Sequence, residues 1–188
     1  MKLCTIFADH LWSVKYDGGN KDVLNELFDK WEDVEYLYDF FINHMELVNN
    51  SPWKDCSVDE LIVLARDESF EFYDRFCEIF DNNEKNFDDE FIFLSQNAYE
   101  WPLEKCKSYG YAHNWSVSLH RNALLRLYAI RVDNNQYVIT GGGIKLVKEM
   151  HEMPELVQEL DKLDKVRRWL QSNKVEISKE VDSLLEEE

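Results

Sequence analysis

Apolar residues recur along the chain at two spacings, and each change of spacing marks a new element. Lys2-Leu-Cys-Thr-Ile-Phe7 is rich in strand formers, and Leu11-Trp-Ser-Val-Lys-Tyr16 alternates less regularly before the turn residues Asp17-Gly18-Gly19-Asn20. One or two strands therefore open the chain. From Asp22 the interval becomes three or four, through Leu24, Leu27, Trp31, Leu37, Phe41 and Val48, and predicts one or two helices that Ser51-Pro52 ends. Ser57 and Glu60 then stand at capping-box spacing ahead of Leu61, Leu64, Ala65, Phe72, Phe76 and Phe80, which predict a further helix ending near Asp81-Asn82-Asn83.

Residues 84–114 carry only a short apolar run, Phe91-Ile-Phe-Leu94, and a loop signal at Trp101-Pro102, and their structure stays open. Trp115 to His120 alternates like a strand. Leu124 to Val132, the turn Asp133-Asn134-Asn135 and Gln136 to Thr140 form the clearest hairpin in the chain. Beyond Gly141-Gly142-Gly143 a helix places Met153, Leu156, Val157, Leu160, Leu163, Val166 and Leu170 on one face, and a polar acidic tail follows from about Ser172, as a further helix or frayed. Strands, helices, strands, helix in that order predict an α+β domain, a small antiparallel sheet packed against several helices on one side. One domain spans 1–188, with a helix-rich acidic part at about 21–100 and the sheet and C-terminal helix at about 115–170.

A chain of 188 residues buries roughly 70% of its unfolded surface without help from a metal or a disulfide. Cys4, Cys56, Cys77 and Cys106 are scattered singly, as free thiols of a cytoplasmic protein would be, and charges interrupt every hydrophobic segment, so no membrane span is expected. Charge changes the picture more. Residues 1–100 carry 8 Lys+Arg against 24 Asp+Glu, whereas residues 104–148 carry 7 against 2, a basic island in a chain of net charge −17. Long-range repulsion confines any nucleic-acid contact to that island. The acidic half reads either as a solvated helix face that maintains solubility, or as a mask or a surface for a basic partner.

The segment Leu125-Arg-Leu-Tyr-Ala-Ile-Arg131, the tight hairpin, Tyr137-Val-Ile-Thr-Gly-Gly-Gly-Ile-Lys-Leu146 and the helix after Pro154 resemble the RelE/ParE superfamily of bacterial toxins, most of all its phage-derived HigB-like group. The resemblance covers about a third of the chain. This chain is longer than those toxins, carries a large acidic helical insertion, and has Ile144-Lys145-Leu146 where paired lysines are typical. The resemblance implies a ribonuclease, metal-independent and without cofactor, that cuts messenger RNA on the ribosome and is silenced by an antitoxin.

Such chemistry needs a 2′-hydroxyl deprotonated, a charged phosphorane neutralised and a leaving oxygen protonated. Arg126 and Lys145 are the candidates for charge, and His120, Tyr128 and His151 for proton transfer, with Lys107, Arg121 and Lys148 as further RNA-binding cations. Strand parity puts Arg126 and Tyr128 on one face, where they would line one concave surface; the plain alternative is a surface arginine and a core aromatic. Gly141-Gly142-Gly143 lacks the sequence of a phosphate loop and reads as a bulge or a close backbone approach. Cys106, His113 and His120 match no compact zinc motif, so no metal is expected. Asp88-Asp89 and Glu186-Glu187-Glu188 read as solvated and poor acid/base candidates. The rival to an RNA-directed protein is a non-catalytic acidic interaction module of phage or mobile-element origin that binds a basic protein.

Overall fold

The structure is a computed structural model and describes residues 1–82, 85–94, 103–110 and 123–173. Two strands, β1 (Lys2–Phe7) and β2 (Leu11–Lys15), precede helices α1 (Val23–Glu32), α2 (Val34–Asn43), α3 (Met45–Asn49) and α4 (Val58–Asp81). The short α5 (Phe87–Glu90) leads to β3 (Ile92–Phe93), β4 (Glu104–Tyr109), β5 (Leu125–Asp133) and β6 (Gln136–Ile144), and α6 (Pro154–Ser172) follows one 3-10 turn at Met150–Glu152. Among the described residues the strands form one sheet in the order β1-β2-β6-β5-β4-β3. Every pair is antiparallel except β2 with β6. No helix of the described residues is long and apolar enough to cross a membrane.

Local chemistry sets the helix starts. Asp22 accepts hydrogen bonds from the backbone N–H of Leu24 and Asn25, Asp33 does the same for Glu35 and Tyr36, and Ser57 with Glu60 closes the capping box ahead of α4. Pro154 opens α6, where a missing N–H costs nothing.

The α+β class follows the hydrophobic pattern, but the helices cover both faces of the sheet. Leu125, Leu127 and Ala129 of β5 join the core under α1 to α4, whereas Tyr128, Ile130 and Val132 join a second core with Leu163, Val166 and Leu170 of α6. A strand buried on both sides carries apolar residues at successive positions, which is why β5 reads Leu-Arg-Leu-Tyr-Ala-Ile with hardly a polar break. The expectation of helices on one side alone is corrected on this point.

The hairpin turn is clasped from outside. Asn135 takes a left-handed φ of 57°, and its side-chain oxygen accepts from the Phe87 N–H at 2.5 Å. Asp88 accepts from Asn135 N at 3.1 Å, from Arg131 Nε at 3.0 Å and from the Tyr137 hydroxyl at 2.7 Å. Burial works against ionisation of Asp88, yet these donors together hold its pKa below the ordinary carboxylate value. Asp88 is thus a bonded structural carboxylate and not the solvated one read from the sequence.

The glycine run is a place of close approach. A Cβ on Gly142 would lie 2.6 Å from the Arg126 carbonyl oxygen and 2.9 Å from Leu27 Cδ1, and one on Gly141 would meet Glu159 of α6 at 1.8 Å. The register between β5 and β6 shifts here, pairing Tyr128 with Gly141 but Ala129 with Ile139, so that Thr140 is an extra residue. Glu159 accepts the Gly142 N–H at 3.1 Å.

A cationic groove at the end of the sheet

Where β6 ends, the chain leaves the sheet as Lys145-Leu-Val-Lys148 and faces the turn after α3. Between them lies a groove of about 680 Å³, lined by Asn50 and Trp53 on one side and by Arg126, Lys145, Lys148 and Glu152 on the other. The sequence candidates for charge neutralisation, Arg126 and Lys145, both border it. The Lys145 backbone N–H donates to the Leu124 carbonyl at 2.7 Å, extending the β5–β6 pairing one residue past Ile144 and fixing where the side chain starts.

The two cations are held differently. Arg126 is only 6% exposed, and its Nη1 donates to the Ala123 carbonyl at 2.6 Å and the Leu125 carbonyl at 2.7 Å. Its guanidinium lies 4.2 Å from the Tyr109 ring, the residue opposite it on β4. Lys145 is half-buried and makes no ion pair among the described residues. Burial lowers its pKa first, and the like charges of Arg126 and Lys107 lower it further, while Glu149 and Glu152 pull the other way. Lys107 Nζ stands 5.5 Å from the Tyr109 ring, and Lys148 is exposed. Two of the cations named from the sequence, Arg126 and Lys107, therefore act on a third, Lys145, and a fourth, Lys148, borders the same groove.

The proton-transfer candidates fall elsewhere. Tyr128 is 1% exposed, and burial pushes its hydroxyl above the ordinary phenol range. It shares a face with Arg126, as parity requires, but that face is covered by α6, so the two do not line an open surface together. His151 is exposed on the 3-10 turn and does not border the groove. His120 and Arg121, with His113 and the strand expected over Trp115 to His120, lie outside the described residues. Cys106 is buried with its thiol pushed up to about 12 by burial, and no group of three metal-ligating side chains occurs among the described residues.

Sequence reasoning missed a carboxylate next to the groove. Glu68, in the middle of α4, is 2% exposed and accepts from Leu124 N at 3.0 Å and Leu125 N at 2.7 Å. Burial raises its pKa to about 7, against the opposing effect of those two N–H groups and of Arg126 and Arg75. A Cβ on Gly110 would come within 2.1 Å of its Oε2, so Glu68 fits between the end of β4 and the start of β5. The available signal was an acidic residue on the inward side of α4, at helical spacing between Leu64 and Phe72.

Comparison of the chain with protein-family models, with curated sequences and with solved structures returns no match.

Proposed function

We propose that the chain is a RelE/HigB-like, toxin-derived protein that binds RNA through the groove, with Lys145 and Lys148 against the phosphate backbone. The observation that supports this reading is the meeting of Arg126, from the first hairpin strand, and Lys145, from the exit of the second, at one open groove. Crowding like charges and partly desolvating one of them opposes folding, and an anion received there would offset that cost. The acid of the first half does not prevent this at physiological salt, where the screening length is about 8 Å.

In this reading Arg126 shapes the groove from beneath, since its Nη1 is engaged by backbone carbonyls, and Lys145 meets the phosphate. A lysine whose pKa is lowered also gives up its proton more readily, so Lys145 suits both the neutralisation of a phosphorane and the protonation of a leaving oxygen. Glu152, whose Oε2 accepts the Glu149 N–H at 2.8 Å, borders the same groove and in this reading takes the 2′-hydroxyl proton. The test is growth after induced expression in a bacterial host, comparing the native chain with Lys145→Ala/Lys148→Ala at matched protein levels. Arrest by the native chain that the double substitution relieves supports the reading; equal growth of both argues against it.

A further inference from the structure

Helix α4 carries large apolar side chains beyond those it buries in the core, and these are about half-exposed. On the outer face Val63, Phe70, Tyr73 and Phe80 are 56%, 53%, 58% and 47% exposed. Val63, Phe70 and Cys77 follow one another at intervals of seven, and Tyr73 and Phe80 repeat the interval three residues behind Phe70 and Cys77. Spacing of seven with an offset of three is the a/d seam of a helix that packs lengthwise on another helix, here with the half-buried Arg66 at the first d position. The charged residues keep the same period: Asp67, Asp74 and Asp81 each follow an a position by four, in the e position that flanks such a seam. None of the three aspartates forms an ion pair among the described residues.

The seam is also held in place from below. The Phe80 ring stacks on Phe7 of β1 with centroids 4.9 Å apart, and Tyr73 meets Phe28 of α1 edge-on at 6.5 Å. Aromatic groups fixed in this way lose little freedom when covered, which favours binding.

We infer that the outer face of α4 docks an amphipathic helix of a different protein, with leucine-like side chains on the Val63–Phe70–Tyr73–Phe80 seam and lysine or arginine opposite Asp67, Asp74 and Asp81. Charge selects this occupant. A second copy of the chain would bring another row of aspartates and a further net charge of −17 to the contact. The chain's own residues 174–188 hold Lys174 and Lys179 against six acidic residues and are repelled in the same way. The site is separate from the groove, so loss of one leaves the other testable.

The test uses the full chain and a fluorescent synthetic helix of about three heptads, with leucine at a and d and lysine on the flanks. A glutamate-flanked peptide with the same leucines and a scrambled peptide of the lysine composition serve as controls, and binding is read as anisotropy at about 0.15 M salt, where diffuse attraction is screened. The lysine-flanked helix is expected to bind at least about tenfold more tightly than either control. Phe70→Ser/Tyr73→Ser removes that binding, Asp67→Lys/Asp74→Lys/Asp81→Lys transfers the preference to the glutamate-flanked helix, and Lys145→Ala leaves binding unchanged. The substituted positions are on the solvent side of α4, and unchanged circular dichroism shows that the fold is kept. Equal binding of the ordered and scrambled lysine peptides, no binding of either, or a preference untouched by the aspartate reversal overturns the inference.

Discussion

Arg126 and Lys145 border one groove but stand in opposite relations to the fold: the Arg126 guanidinium is buried and bonded to the Ala123 and Leu125 carbonyls, whereas the Lys145 ammonium forms no ion pair among the described residues. The same truncation therefore has different consequences at the two sites. Arg126→Ala leaves carbonyls and the Tyr109 ring without their cation and is expected to cost about 2–3 kcal/mol. Lys145→Ala relieves like-charge crowding and is expected to stay within about 0.5 kcal/mol of the native chain. Denaturant unfolding of the two single variants checks the contrast, and equal losses would contradict it.

A second expectation concerns pH. The folded chain keeps a proton on Glu68 up to about 7, whereas the ordinary carboxyl releases it near 4.5. Between those values the folded state holds more protons than the unfolded one, so this contribution to stability is complete below the lower value and is lost as pH rises through the upper one. The loss reaches about 3 kcal/mol at roughly 1.4 kcal/mol per pH unit. Glu159, raised chiefly by burial, acts in the same direction. The melting temperature should fall between about pH 5 and pH 8, and the fall should be smaller in Glu68→Gln. Below about pH 5 that variant is expected to be less stable than the native chain, because one amide oxygen replaces the two oxygens that accept from the Leu124 and Leu125 N–H groups.

Gly142 supplies a purely steric test. Alanine there would push a methyl group to 2.6 Å from the Arg126 carbonyl oxygen, where backbone on both strands must yield. A loss of about 1–3 kcal/mol is expected for Gly142→Ala, against almost none for Gly143→Ala, whose Cβ would meet Leu156 at an ordinary 3.5 Å. Thermal unfolding of the pair measures the difference.

How far the sequence discloses the fold depends on where each element keeps its apolar residues. The capping box at Ser57 and Glu60 and the hairpin turn at Asn134-Asn135 announce themselves because their chemistry is local. Strand β4 does not, because its buried positions are Glu104, Cys106 and Ser108, which show no apolar alternation. The two residues of β3 are exposed at the sheet's edge and have no inward side to reveal them. Phe80, counted with Leu61, Leu64, Ala65, Phe72 and Phe76 in the helical period of α4, is half-exposed where they are buried, and it stacks on Phe7 of β1. Along β5 parity joins Arg126 to Tyr128, but only Arg126 borders the groove, because Tyr128 is covered by α6, more than twenty residues further along. Glu68 escaped because a carboxylate is read by default as solvated, and its function as acceptor for two N–H groups exists only after β5 is in place.

The most direct test of the RNA reading is equilibrium binding of a fluorescent single-stranded RNA across a salt series, native chain against Lys145→Ala/Lys148→Ala. The native chain should bind, and removing both lysines should weaken binding and reduce the slope of log affinity against log salt by about 1.4, at roughly 0.7 per lost phosphate contact. No binding by the native chain at low salt, or binding with an identical slope in both proteins, would contradict the assignment of the groove to RNA.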